Sequence, residues 1–200
     1  MAKLLIFVLL FVGTNIYSQQ QFEEQAVADF QKDMNKHYAD STSSPLKKED
    51  LKVFQSLEFF PASADFFVQA KFIATPNEKP FKMPTTTDRK PLYVKYGELH
   101  FRVNGTKCKL NVYQNVEFSK KPGYKDDLFL PFTDLTSGVE SYGGGRYIDL
   151  EIQKGNTWAI DFNQAYNPYC AYNEKYSCPI VPEENDLKVE IKAGVKAFKK

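Results

Sequence analysis

Histidine and tryptophan are nearly missing from this chain, and net charge is missing too. Two histidines and one tryptophan occur in 200 residues, and 26 Lys and Arg meet 25 Asp and Glu. A zinc site needs about four ligands at paired spacing, which His37, His100 and three cysteines do not supply. Nothing in the sequence sets either histidine beside a cysteine, so a cysteine nucleophile has no visible base. There is no phosphate loop, nucleophile elbow or nucleic-acid motif. A neutral surface offers nothing to a phosphate backbone or an anionic membrane. The expectation is no metal, no cofactor and no nucleic-acid partner.

Long apolar runs are equally scarce. The longest, Leu4 to Val12, follows one lysine and ends in small and polar residues, the pattern of a secretory signal peptide. It falls well short of the roughly 20 residues that span a bilayer. Cleavage after Ser18 is expected, giving an exported protein (periplasmic or extracellular) that begins at Gln19 and has no stable membrane insertion. Loss of Lys3 with the signal leaves 25 basic and 25 acidic side chains.

What is abundant is aromatic, with 17 Phe and 12 Tyr, and this suits a strand-rich protein. Phe22, Ala26, Phe30, Met34 and Tyr38 recur every four positions and predict a helix over 21–39. Ser44-Pro45 reads as the start of a second, shorter helix carrying Leu51, Phe54 and Leu57 and stopped before Pro61. Thereafter the period becomes two. Strands are predicted around Phe66–Ile73, at Leu99–Val103 and Cys108–Val112 joined by Asn104-Gly105, at Arg146–Ile152 and Thr157–Phe162, and finally at Leu187–Ile191. The proline-rich stretch 75–91 reads as a loop or irregular edge. The fold class is α+β, mainly β: two N-terminal helices within 19–60 packed on a strongly curved antiparallel sheet or partly closed barrel over 61–200, with 19–200 one globular unit.

The densest chemistry lies between Leu128 and Asn185. Strand parity puts Arg146 on one face with Ile148, Leu150 and Ile152, and Tyr147, Asp149 and Glu151 on the other. A guanidinium on an apolar face must meet a carboxylate, carbonyls or an anionic ligand. Gly143, Gly144 and Gly145 just before it permit a close backbone approach, by a ligand or by a neighbouring strand. The bland alternative pins Arg146 to Asp134 or Asp161, and it weighs somewhat more. Asp161 and Asn163 point to the same side and suit a polar ligand, while Asn163 and Asn167 also suit turn capping before Pro168. Cys170 and Cys178, eight apart between Pro168 and Pro179, suit a disulfide in an exported protein, with a reactive thiol as the rival reading. Cys108 is expected to be a buried thiol on its hairpin, and His100 a surface residue.

Several blocks resemble one family. SPL at Ser44, LEFFP ending at Pro61, LFLPFTDLTSG, ESYGGGRYIDLE, IDFNQAYNPYCAYNEKYSCPIVPEEN and IKAGVKAF are similar, in order, to the bacterial domain-of-unknown-function family numbered 1684. Tyr169 and Val195 depart from the family's pattern, where a second proline and a glutamate are usual. The resemblance implies no reaction. Three readings remain in play: a binding module holding a small polar or anionic molecule near Gly143–Arg146, Asp161, Asn163 and Asn167; a hydrolase using Asp161 or Asp149 as general base with Arg146 stabilising negative charge; and a structural envelope protein.

Overall fold

The computed structural model describes residues 20–199, so the expected signal peptide lies outside the described residues. The chain opens with α1 (Glu24–Ala39) and α2 (Lys48–Val53). Strands β1 (Phe67–Ala74), β2 (Phe81–Lys82), β3 (Leu92–Val103), β4 (Thr106–Asn115), β5 (Asp127–Phe132), β6 (Arg146–Glu151) and β7 (Thr157–Asp161) follow. They form one strongly curved antiparallel half-barrel in the order β6-β5-β4-β3-β1-β7, with β2 added beside β3. The fold is mainly β, as the alternating pattern predicts.

The helices differ from expectation in detail. α1 starts at Glu24 and buries Val27 and Tyr38, leaving Ala26 exposed. The second helix is only six residues long, and its N-cap is Lys47 rather than Ser44. The Ser44 hydroxyl instead donates to the carbonyl of Tyr38 at 2.6 Å. Leu57 lies outside α2 because its N–H donates to the Asn35 side chain at 2.7 Å, a bond that replaces a helical one. Leu46, Leu57, Tyr38 and Tyr172 form their own apolar cluster, joined by Met34, Phe54 and Phe198.

Asn104 and Gly105 turn β3 into β4 with φ of 48° and 79°, the left-handed pair a tight hairpin needs. β5 and β2 were not foreseen as strands; β5 begins Asp-Leu-Phe-Leu-Pro, whose proline weakens the strand signal. The predicted last strand is absent. Leu187–Ile191 runs irregularly beside residues 133–135, with the Ile191 N–H going to the Asp134 carboxylate at 3.3 Å instead of to a ladder carbonyl. Leu187 and Ile191 are still buried, in the main core with Leu99, Leu110, Leu130, Phe132, Trp158, Ile160 and Phe162. The strand residues of that core share one face of the sheet, and each such side chain contributes about 1.5–3 kcal/mol by leaving water.

Candidate functional site

Arg146 opens β6 with its side chain wholly buried. Its Nη2 donates to Asp134 Oδ2 at 2.6 Å, with neither side chain exposed, and to the Ile191 carbonyl at 2.8 Å. Nη1 donates to the Ala193 carbonyl, and the guanidinium lies 5.2 Å from the Phe132 ring and 5.8 Å from that of Phe60. Burial pulls its pKa down while Asp134 pushes it back up, so the charge is retained and met within the protein. Asp134 is the partner and Asp161 is not. Asp134 Oδ1 also accepts the N–H of Thr136 at 2.7 Å, so this carboxylate ties three segments together.

The glycines before Arg146 divide. Gly143 and Gly144 are exposed, whereas Gly145 is buried with φ of 88°. A Cβ there would sit 2.6 Å from the Phe132 carbonyl oxygen and from Val181. What approaches Gly145 closely is thus a neighbouring strand.

The asparagines share a pattern. Asn163 donates to the Ser63 carbonyl at 2.9 Å and accepts the Ser63 N–H at 3.0 Å. Asn185 does the same to Asn111, at 2.8 Å in each direction, and also donates to the Pro131 carbonyl at 2.6 Å. Gln153 does it to Ala159, at 2.9 and 2.8 Å. Each primary amide imitates one residue of a neighbouring strand where no strand is present. Asn185 bridges β4 and β5, whose own register is a single pair, Tyr113 with Phe129. Asn167 is buried and donates to the Lys196 carbonyl at 2.8 Å and the Tyr172 hydroxyl at 3.2 Å, stapling the loop to the C-terminal segment.

Gln153 stands where the half-barrel fails to close. β6 and β7 are the two end strands of the sheet; Tyr147 pairs with Tyr166 beyond β7, and between these points a cleft of about 910 Å³ opens. Its lining includes Ile148, Leu150, Ile152, Phe67 and Ala159, the amides Gln69, Gln153 and Gln164, and the charged groups Glu23, Asp149, Glu151, Asp161 and Lys154. Four carboxylates against one lysine make it acidic. Asp161 accepts from the Asn163 N–H at 3.0 Å, the Asn163 amide at 2.7 Å and Gln164 at 3.1 Å, so most of its capacity is used internally. Asp149 is exposed and, among the described residues, accepts only from the Tyr166 hydroxyl, 2.9 Å from each oxygen. Although the residue is exposed at its rim, its carboxyl is packed against the cleft wall, and this partial desolvation raises it above the ordinary value, with Tyr166 opposing and Asp127 adding.

Of the site residues expected from sequence, then, Asp161 lines this cleft together with Asp149, while Arg146 and Gly145 are buried elsewhere and Asn163 and Asn167 hold backbone. Gln153, Gln164, Gln69 and Tyr166 were missed; a glutamine just past a strand end carries no signal of pairing with the next strand. Among the described residues no group of three or more His, Cys, Asp or Glu is placed to hold a metal, and no helix is long and apolar enough to cross a membrane. His100 meets Glu98 at 3.0 Å. Cys108 is half-buried rather than buried, because Lys107 and Lys109 beside it face solvent at the hairpin. Cys170 and Cys178 are held as free thiols, with the Cys170 N–H donating to Cys178 Sγ at 3.1 Å.

Comparison with known proteins adds kinship without chemistry. No curated protein matches the chain. An uncharacterized protein of Haloarcula marismortui, solved in solution by NMR, matches with a TM-score of 0.67 and 30% identity over 86% of this chain and 93% of its own. The model of the DUF1684 family, described as a protein of unknown function, matches residues 52–196. With that span, and with the glycine run, Arg146, the asparagines and both loop cysteines inside it, the chain belongs to the DUF1684 family.

Proposed function

We propose that this protein binds a small polar ligand bearing positive charge in the cleft between β6 and β7, after export directed by Met1–Ser18. One observation carries the reading: the gap between the end strands β6 and β7 is also an acidic cleft with an apolar floor, four carboxylates against one lysine in about 910 Å³. Openings at the ends and seams of barrels are where small molecules bind, with a few polar groups fixing orientation. The Arg146 charge is spent on Asp134, which takes support away from an anionic ligand. A low-dielectric wall behind the carboxylates concentrates cations there.

Thermal melts with arginine amide, putrescine, N-acetylglucosamine, citrate and phosphate test it. The amines are expected to raise the wild-type melting temperature and to lose that effect in the Glu151→Gln, Asp149→Asn double variant. A rise with citrate or phosphate alone overturns the proposal. A second reading, a hydrolase with Asp149 as general base, is favoured by the raised Asp149 carboxyl and its Tyr166 contact; it requires turnover of an ester or glycoside panel that Asp149→Asn abolishes.

A further inference from the structure

The other concentration of reactive groups lies away from the cleft, around the loop cysteines. Cys170 sits in the short 3-10 turn Tyr169–Ala171 and is half-buried, whereas Cys178 is buried. Cys178 is fixed by a small ladder: its N–H donates to Thr86 Oγ1 at 3.1 Å, its carbonyl accepts the Thr86 N–H at 2.9 Å, and Ile180 N–H donates to the Pro84 carbonyl at 2.9 Å. The Cys170 N–H reaches the Cys178 sulfur at 3.1 Å, and the Tyr142 hydroxyl lies 3.9 Å from the Cys170 sulfur. One thiol is thus reachable from solvent and the other is held directly behind it.

We propose that Cys170 and Cys178 form a hydroperoxide-oxidised thiol pair, Cys170 being the attacked sulfur and Cys178 the resolving one. The Cys170 thiolate attacks the terminal peroxide oxygen; the O–O bond breaks, and the leaving hydroxide or alkoxide takes a proton, giving water or an alcohol and a sulfenic acid on Cys170. The Cys178 sulfur then attacks the Cys170 sulfur, the S–O bond breaks, water leaves with the Cys178 proton, and a disulfide forms. Two thiols and one peroxide become a disulfide and, for hydrogen peroxide, two waters. A dithiol reductant reverses the change by exchange.

The protonation pattern supports this division of roles. Cys170 is pulled down to about 7, first by the hydrogen bond from the Cys178 thiol, with burial opposing and Tyr142 and Thr86 helping. Cys178 is pushed up by the same bond and by burial, against the pull of the Cys170 N–H and, less, of Arg89. The two thiols therefore titrate as a pair through this bond, and the half-buried position of Cys170 against the buried Cys178 makes it the sulfur that meets peroxide. Cys108, by contrast, is raised by burial.

The test starts from protein reduced with dithiothreitol and freed of it, then exposed at neutral pH to equimolar hydrogen peroxide, blocked with N-ethylmaleimide and mapped by mass spectrometry. The expected product is a Cys170–Cys178 disulfide, two hydrogens lighter, with Cys108 alkylated. Cys178→Ser is expected to accumulate a dimedone-reactive sulfenic acid on Cys170, and Cys170→Ser to leave Cys178 reduced. Iodoacetamide on the reduced wild type should modify Cys170 at least about tenfold faster than Cys108. Oxidation of Cys108 as fast as Cys170, or unchanged peroxide consumption in Cys170→Ser, would overturn the proposal, and the three thiols can be compared in one folded wild-type sample.

Discussion

The two ends of β6 treat charge in opposite ways. At Arg146 the guanidinium and Asp134 are both sealed from water, the guanidinium donating to the Ile191 and Ala193 carbonyls and the carboxylate accepting the Thr136 and Ile191 N–H groups; three residues on, Asp149 stands exposed at an acidic opening beside the Tyr166 phenol. The difference shows what an unusual residue is for. A buried charge met by a carboxylate and two backbone carbonyls, as Arg146 is through Nη1 and Nη2 with Nε left unpaired, holds the fold together, and a charge at the surface with unused directions is available to something else. Glycine runs and strand-end asparagines fall under the same test, and most of them here answer to backbone.

The comparison is broken most forcefully at the closed end. Arg146→Leu leaves Asp134 buried without its cation, and urea denaturation should show a loss of about 3–5 kcal/mol. A loss below about 1 kcal/mol would mean that Asp134 finds water and that this end is open. At the seam, Gln153→Ala removes the amide that pairs with both backbone groups of Ala159. It should cost about 1–2 kcal/mol and speed hydrogen exchange at the Ala159 N–H, while the Arg146 neighbourhood keeps its protection.

The open end should respond least in stability and most in pH dependence. Asp149 is raised in the folded state, so the native protein holds this proton more tightly than the unfolded chain. As pH climbs from the ordinary carboxylate range through the raised native value, only the unfolded form releases the proton, and stability falls; below that window the term vanishes. Asp149→Asn should therefore match wild type under acid conditions and become the more stable of the two toward neutrality. A melting-temperature difference independent of pH would place Asp149 in an environment like bulk water.

How much of this was legible in the sequence follows from which forces have a local signature. The β3–β4 hairpin was readable because Asn-Gly and alternating side chains are local signals. The curved, mainly β sheet followed from the same period. Parity placed Arg146 on the buried face and Asp149 and Glu151 on the other, and Asp134 was among the named partners. The helix at α2 was read too long because an apolar spacing cannot reveal that Asn35, far back in the chain, would take the Leu57 N–H. Leu187–Ile191 looked like a strand for the same reason: burial gave it the pattern, and the Asp134 carboxylate took the amide a ladder requires. The cleft was invisible because it arises from a missing pairing between two sequence-adjacent strands, and Gln153, which manages that gap, looks like any polar turn residue.

The most direct test is an amide ¹H–¹⁵N spectrum of the isotopically labelled protein titrated with arginine amide. Saturable shifts are predicted at Asp149, Glu151, Gln153, Thr157, Asp161 and Gln164, with Gly143–Arg146 and Asp134 unmoved. Shifts centred on Gly143–Arg146, or shifts at the cleft with citrate and none with the amine, would contradict the account.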